Sequence, residues 1–337
     1  MCTFNGEYFL KEQLESILAQ TIRPDELIVV DDCSQDSTLD ILFSFKNAAD
    51  FPVRIIVNKK NIGINKNFEH AIACCEGELI ALSDQDDIWM PSKIESIINS
   101  FQQHPDCGYV FSNASLVNEN GSYLGNDLWS SVNFNVNRYL KYTTGDQLEV
   151  MLRGGNFIYG MAMAFRSKYK NIVLPIESRL HSACTHDTWI AIILSAVGAR
   201  GIPIEKSLVM YRKHAKQVTS IENKSNFYFR KNMFFQNNEK NIVLADVLMK
   251  IINRLDQVEN SFDIVSVLNA RKQLIDKSIH LRARALISSG KFFKRLYIIY
   301  GEASSGRYKK YSGSYKSVLK DIVAGLCAIN ITTPTQR

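Results

Sequence analysis

Three carboxylates stand within four residues at Asp84-Gln85-Asp86-Asp87, directly after an apolar run at residues 79–82. Hard divalent cations such as Mg²⁺ and Mn²⁺ take carboxylate oxygens and usually bridge a ligand's phosphates as well, so an Asp-x-Asp at a strand end suits them. The same residues also fit an acidic turn ahead of a helix beginning near Pro91 and Lys93, with Asp87 as its cap. A second acidic pair, Asp31-Asp32, follows the apolar run at residues 26–30. A carboxylate there can accept from a base N–H or a ribose hydroxyl, while Ser34 or Asp36 can cap a helix starting near Ser37. Thr185-His186-Asp187-Thr188-Trp189 opens an apolar helix, where Thr185 or Asp187 is a cap or Asp187 a general base. Tyr211-Arg212-Lys213-His214 offers two cations and an imidazole that is either a metal ligand or structural. No G-x-G-x-x-G follows a strand and no G-x-x-x-x-G-K-[ST] occurs, which argues against a dinucleotide fold or a P-loop and leaves phosphate charge to be met by a metal.

The elements that must position these groups follow from apolar periodicity. Residues 8–19, 37–45 and 67–75 have the helical period, and residues 26–30, 53–57 and 79–82 are short apolar or β-branched runs. Repeated β–α alternation predicts a parallel sheet with helices on its faces, with ligands at the carboxyl ends of strands, where both acidic clusters sit. Residues 109–111 and 158–165 read as strands, separated by a polar, Asn-rich stretch with Trp129 that reads as acceptor-side loops. Residues 189–197 form a helix begun by His186-Asp187, and residues 206–211 a last strand. Beyond residue 227 the pattern is helical at 242–255 and 265–286, with a Gly/Ser/Lys/Tyr-rich linker at 304–315.

Composition bounds the rest. At 337 residues and 46% apolar the chain can bury a core, which excludes a disordered or collagenous protein. The apolar stretch at 322–331 falls short of the ~20 residues that span a bilayer, and the first residues lack the pattern of a secretory signal, so a cytoplasmic location is expected. The seven cysteines lack C-x-x-C or metal-finger spacing and read as reduced, buried thiols. Residues 222–337 hold 20 Lys and Arg against 9 Asp and Glu, a net of +11, which leaves −5 on residues 1–221. A basic, aromatic C-terminal half suggests an anionic partner, either a membrane surface or a nucleic acid. Residues 291–320, with eight Lys and Arg, seven Phe and Tyr and only Glu302 opposing, could lie on the inner face of a membrane.

Six segments in this order resemble the family 2 glycosyltransferases, especially the bacterial rhamnosyltransferase-like members that build surface polysaccharides. They are Cys2-Thr3-Phe4-Asn5-Gly6-Glu7-Tyr8, Val30-Asp31-Asp32-Cys33-Ser34-Gln35-Asp36, Asn61-Ile62-Gly63-Ile64-Asn65-Lys66-Asn67-Phe68, Ser83-Asp84-Gln85-Asp86-Asp87-Ile88-Trp89, His186-Asp187-Thr188-Trp189 and Tyr211-Arg212-Lys213-His214. The resemblance covers about residues 1–220. It implies an α/β, A-type glycosyltransferase fold, Rossmann-like with a mostly parallel sheet, over residues 1–221, followed by a basic helical region at 222–337. It further implies Thr3, Asn5, Glu7, Asp32, Lys66 and Asp84 at the nucleotide, with Asp86 and His214 on Mg²⁺ or Mn²⁺. Asp187 is implied as the catalytic base, with Trp89, His186, Trp189 and Arg212 also at the site. Three departures stand out. The family's fuller first strand is missing ahead of Thr3, Cys33 occupies a usual Gly position, and the Q-x-x-R-W motif of processive relatives is absent.

The implied reaction is a single, inverting displacement. A sugar, rhamnose among the candidates, passes from a nucleotide diphosphate donor to a glycan or lipid-linked acceptor, without processivity and without nucleic acid as a partner. The rival class is a non-catalytic nucleotide-sugar-binding or membrane-scaffold protein, which would hydrolyse no donor.

Overall fold

The structure, a computed structural model, describes residues 1–177, 184–215, 217, 232–257, 262–289, 292–312, 317–319 and 321–322. Two compact units are present. The first comprises Met1–Gln147, Asn156–Arg179 and Thr185–Ile221; the second comprises Leu148–Gly155, Leu180–Cys184 and Glu222–Arg337.

The first unit begins with strictly alternating elements: β1 (Cys2–Thr3), α1 (Leu10–Leu18), β2 (Leu27–Asp31), α2 (Thr38–Ala48), β3 (Val53–Val57) and α3 (Ile64–Cys74). The strands form a parallel sheet in the order β1-β2-β3, with Thr3 opposite Asp31 and Val30 opposite Ile56. Every residue of β2 is buried, as expected of a parallel strand covered on both faces. On α1 the apolar residues Leu10, Leu14 and Ile17 recur at helical spacing and are all buried.

The alternation then breaks. β4 (Leu79–Ala81), β5 (Ile88–Trp89), α4 (Lys93–Gln103), β6 (Cys107–Val117) and β7 (Tyr123–Asp127) are followed by the short helices α5 (Leu128–Ser131), α6 (Val136–Thr144) and α7 (Gln147–Leu152). Next come β8 (Met163–Arg166), α8 (Lys170–Val173), α9 (His186–Ala196) and the 13-residue β9 (Arg200–Arg212). β4 belongs to a second, mixed sheet of order β4-β8-β6-β9-β5, with β7 paired to β6. β4 runs antiparallel to β8, so the continuation of one parallel sheet expected from alternation stops at α3. The Cys2 amide reaches the Ser83 carbonyl at 3.3 Å, which brings the ends of β1 and β4 together.

Aromatic residues of the Asn-rich stretch enter the core. Trp129, Phe134, Tyr142 and Phe157 are buried around Phe111 of β6, and Phe134 stacks on Phe157 at 4.2 Å. Five rings in mutual contact are worth more than their area, because edge and offset geometries align ring quadrupoles. Of the residues expected as strand at 158–165, only the last three belong to one, β8, which runs on to Arg166; a 3₁₀ turn at Gly160–Ala162 precedes it.

In the second unit, α10 (Asn232–Asp256) packs on α11 (Ile264–Ser289), joined by α12 (Phe292–Ser304) and α13 (Arg307–Tyr311). The linker expected at 304–315 is instead partly α13, anchored by two buried tyrosines. Tyr308 donates to the Asp321 carboxylate at 2.7 Å and Tyr311 to the Gln273 carbonyl at 3.2 Å. Residues 313–316 lie outside the described residues. Glu302 is no surface acid: it is buried between His280, at 2.7 Å, and the Arg307 guanidinium. Arg295 is buried too, while Lys291, Lys316 and Lys320 lie outside the described side chains. Of the cations expected on that surface, Arg295 is thus buried and Arg307 is paired with Glu302.

Candidate active site

Strand ends converge on one cavity of ≈ 580 Å³ in the first unit. Its wall takes Thr3 and Asn5 from the end of β1, Asp32 from β2, Asp84 to Asp86 from β4, and Tyr211 and His214 from β9. The acidic clusters, 52 residues apart in sequence, thus face the same space.

Each loop is fixed by hydrogen bonds that leave little freedom. Asp31 accepts from the Thr3 hydroxyl at 2.8 Å, the Ser34 amide at 2.8 Å and the Ser34 hydroxyl at 2.6 Å. Asp32 accepts from the amides of Ile62 and Gly63 at 2.8 and 2.9 Å and from the Asn58 side chain at 2.9 Å. Gly63 sits at φ 85°, a conformation that glycine adopts without the penalty of a Cβ. Cys33, between the two clusters, takes φ 66° despite carrying a side chain. Gln85 pairs with Phe4 in both directions: the Phe4 amide donates to Oε1 at 2.8 Å and Nε2 donates to the Phe4 carbonyl at 3.1 Å. A Cβ at Gly6 would fall 2.4 Å from Gln85 Oε1, so glycine is required for that pairing.

Arg212 is the main tie under the acidic turn. It is 2% exposed, donates through Nε to the Asp86 carbonyl at 2.9 Å and through Nη1 to the Glu119 carbonyl at 2.6 Å, and pairs through Nη2 with Glu12. Its guanidinium lies over the Phe9 ring at 4.8 Å, and the same ring meets His214 at 4.8 Å. The Arg212 amide donates to Asp87 Oδ1 at 3.1 Å. Asp87 is therefore a buried acceptor for β9 and not the helix cap that its position suggests; the residue preceding α4 is Ser92, whose side chain makes no cap hydrogen bond.

His214 Nε2 stands 2.9 Å from Asp86 Oδ2, and its buried Nδ1 has no hydrogen-bond partner among the described residues. No group of three His, Cys, Asp or Glu side chains is set to hold a metal among the described residues. One carboxylate and one imidazole, with Asp84 on the same wall, nevertheless fit a hard cation that completes its shell with diphosphate oxygens and water. Burial, with the charges of Asp86 and Asp187 added, raises the Asp84 carboxyl to about 7. Burial also pushes Asp87 well up.

Several expected site residues lie off the cavity wall. Asp187 is buried in the first turn of α9, accepting from the Gly160 amide at 2.9 Å, the Thr188 amide at 2.5 Å and the Thr185 hydroxyl. His186 stacks on the cavity residue Phe68 at 3.8 Å, and neither ring nitrogen has a hydrogen-bond partner among the described residues. Burial lowers its pKa. Glu7 accepts from the Ser37 amide at 3.2 Å, joining the β1 loop to α2. Lys66 pairs with Glu69 at 2.7 Å. Trp89 is buried under Lys93, and Trp189 donates Nε1 to the Val173 carbonyl at 2.9 Å. Sequence reasoning passed over Gln85, Phe9 and Glu12. The last two lie three residues apart at the start of α1, a spacing that puts them on one face but says nothing of a partner 200 residues away.

The family model described as glycosyl transferase family 2 matches residues 1–173. An uncharacterized protein of Mycobacterium tuberculosis is 28% identical over 222 residues, which cover 63% of this chain and 57% of that protein. The chain thus spans little more than half the length of that relative. An uncharacterized glycosyltransferase of Haemophilus influenzae is 26% identical over 266 residues, covering 77% and 78% of the two chains. The dTDP-rhamnosyl transferase RfbG of Shigella flexneri is 38% identical over 125 residues, covering 36% and 40%. Among solved structures, S. aureus TarS 1-349 in complex with UDP-GlcNAc superimposes with a TM-score of 0.51 at 17% identity, covering 94% and 90%. That likeness bears on the fold.

Proposed function

The chain belongs to glycosyl transferase family 2, and on that premise we propose that it transfers a sugar from a nucleoside diphosphate donor to a carbohydrate acceptor, with inversion and one addition at a time. The observation that carries this reading is the meeting of Asp32, Asp84, Asp86 and His214 on one cavity wall at strand ends. The donor's nucleoside lies along Thr3, Asn5 and Asp32, and its diphosphate reaches Asp86 and His214. These two would hold Mg²⁺ or Mn²⁺, which when bound neutralises charge on the departing diphosphate.

Asp187 takes the proton from the acceptor hydroxyl as that oxygen attacks the anomeric carbon. Its carboxylate accepts four hydrogen bonds, three at Oδ1 and one at Oδ2, which fix its orientation and leave a lone pair on Oδ2. A base so placed is worth about 10²- to 10⁴-fold in rate. The relation to RfbG makes dTDP-rhamnose the first donor to test. The acceptor is a glycan or lipid-linked glycan. Attachment of the second unit to an anionic membrane surface belongs to the same reading. It is supported by α12, which exposes Phe293, Tyr297 and Tyr300, and no helix among the described residues is long and apolar enough to cross a membrane.

A panel of nucleotide sugars assayed for nucleoside diphosphate release, with Mn²⁺ or Mg²⁺ and with chelator, tests the activity. At least one donor should be turned over in a metal-dependent way, and Asp86→Ala should abolish that turnover. A protein that binds donors and turns over none would be a binding module.

A further inference from the structure

α11 carries two apolar stripes, where a helix packed on one side needs only one. The first, through Val267, Ala270, Leu274, Leu281 and Ala285, is buried. The second runs along the other side: Val265, Leu268, Ile275, Ile279 and Leu286 are 40% to 62% exposed. Together with Lys272 and Arg282, both exposed, they advance by 3 and 4 residues alternately from Val265 to Leu286, a heptad seam over three heptads. A single exposed leucine needs no explanation, but a straight seam of five large apolar side chains marks a site of association. The seam extends onto α10. Asp246 takes the Arg282 guanidinium at 2.7 Å, and the exposed Ile242 and Met249 flank Asp246 at helical spacing.

We propose that this face joins two copies of the chain, α11 against α11 and antiparallel, about a two-fold axis midway between Ile275 and Ile279. In a two-fold contact, if one residue meets a second, the second also meets the first. With the axis there, Ile275 meets Ile279 of the second copy, Leu268 meets its Leu286, and Lys272 meets its Arg282. Lysine against arginine would repel if nothing stood between them. Asp246 answers that repulsion: its carboxylate is 52% exposed, lies on Arg282, and is open to the Lys272 ammonium of the second copy. Lys272 pairs with no carboxylate among the described residues. The face therefore holds a cation and an acceptor for it at positions that its own two-fold image brings together. This complementarity selects a second copy as the occupant. Parallel pairing would set Lys272 on Lys272 and Arg282 on Arg282, and an anionic lipid surface would face the Asp246 carboxylate. The pairing does not depend on the donor reaction proposed above.

The test is sedimentation equilibrium of the full chain at about 1–100 µM. The parent should reach twice the monomer mass within that range. Ile279→Glu places a carboxylate in both central layers and should weaken association at least about a hundredfold, with helix content by circular dichroism unchanged because the site is exposed. Phe43→Glu, similarly exposed on α2, should leave the dimer intact; an equal loss there would overturn the assignment of the face. Orientation is read from charge. Leu268→Lys and Leu286→Glu should each weaken the dimer about tenfold. The double variant should associate at least about tenfold more tightly than the two losses combined, because antiparallel packing sets the new ammonium beside the new carboxylate. Additive or larger losses overturn the antiparallel register. A parent that stays monomeric throughout overturns the pairing, and binding of that monomer to phosphatidylglycerol vesicles, abolished by Ile279→Glu, would give the face to lipid instead.

Discussion

Replacing Arg212 with Met should damage the first unit far more than a surface arginine would. The guanidinium makes two charge-assisted bonds to the carbonyls of Asp86 and Glu119, each worth about 1.5–3 kcal/mol. The pair with Glu12 adds less than about 1 kcal/mol, because that carboxylate is 53% exposed and screened by water. Met refills most of the volume and restores some apolar burial, so the net loss is about 3–5 kcal/mol. With a urea slope of about 2–3 kcal/mol/M, the midpoint read by tryptophan fluorescence should fall by about 1–2.5 M. Arg212→Lys keeps the charge but cannot serve both carbonyls, and should fall between the two. The Met variant should also bind donor more weakly, since the Asp86 turn has lost its tie to β9. A midpoint within about 0.3 M of the parent's would refute the account, because it would mean that neither carbonyl depends on the guanidinium.

Other outcomes follow from the same geometry. Asp187→Asn keeps the shape of the carboxylate and loses its basicity, so turnover should fall about 10²-fold or more at unchanged donor affinity; weakened donor binding with normal turnover would make Asp187 a structural residue. Cys33→Gly relieves a side chain held at φ 66° and should stabilise the first unit by up to about 1 kcal/mol in urea unfolding, a gain that strain elsewhere could not produce. Asp84 titrates near 7 when folded, above the ordinary 3.8, so the folded state takes up the proton first. That group's contribution to stability therefore rises as pH falls from above 7 toward 3.8, while Mn²⁺ affinity measured from pH 8 to 6 should drop by up to roughly tenfold as the charge is lost. A pH-independent affinity would show that Asp84 carries no weight in cation binding.

What could be read from sequence was whatever is encoded locally. The β–α alternation through α3 was legible because each helix shows its apolar period and each strand is a short continuous run, as in β2, where all five residues are buried. β9 was legible only at its end. Its earlier part includes Pro203, which lies in a stretch of β9 paired with β6 alone, since β5 joins only at Val209 and Met210, and a proline is tolerated beside an open edge. Tyr308 and Tyr311 looked like linker residues because nothing nearby announces Asp321 or Gln273 as their partners. The same holds for Arg212. Beside Lys213 and His214 it reads as one of two cations after a strand, and the partners of its guanidinium lie 93 to 200 residues away.

The pairing of β5 with β9 bears on how this chain can change length over evolutionary time. Ile88 lies opposite Met210 and Trp89 opposite Val209, so one residue separates Asp86 from the pair and three separate His214 from it. Deleting one residue on either side would turn Asp86 or His214 to the opposite face of its strand or shift it along the sheet. Neither spacer can lengthen or shorten alone. The β6–β7 hairpin is held to β9 at Glu119, whose carbonyl accepts from Arg212; beyond Glu119 its tip closes through the Ser122 carbonyl and Asn118 amide at 2.9 Å and turns at Gly121. Insertions and deletions among relatives should therefore collect at that tip and be missing from the residues between the acidic turn and β5 and between β9 and His214.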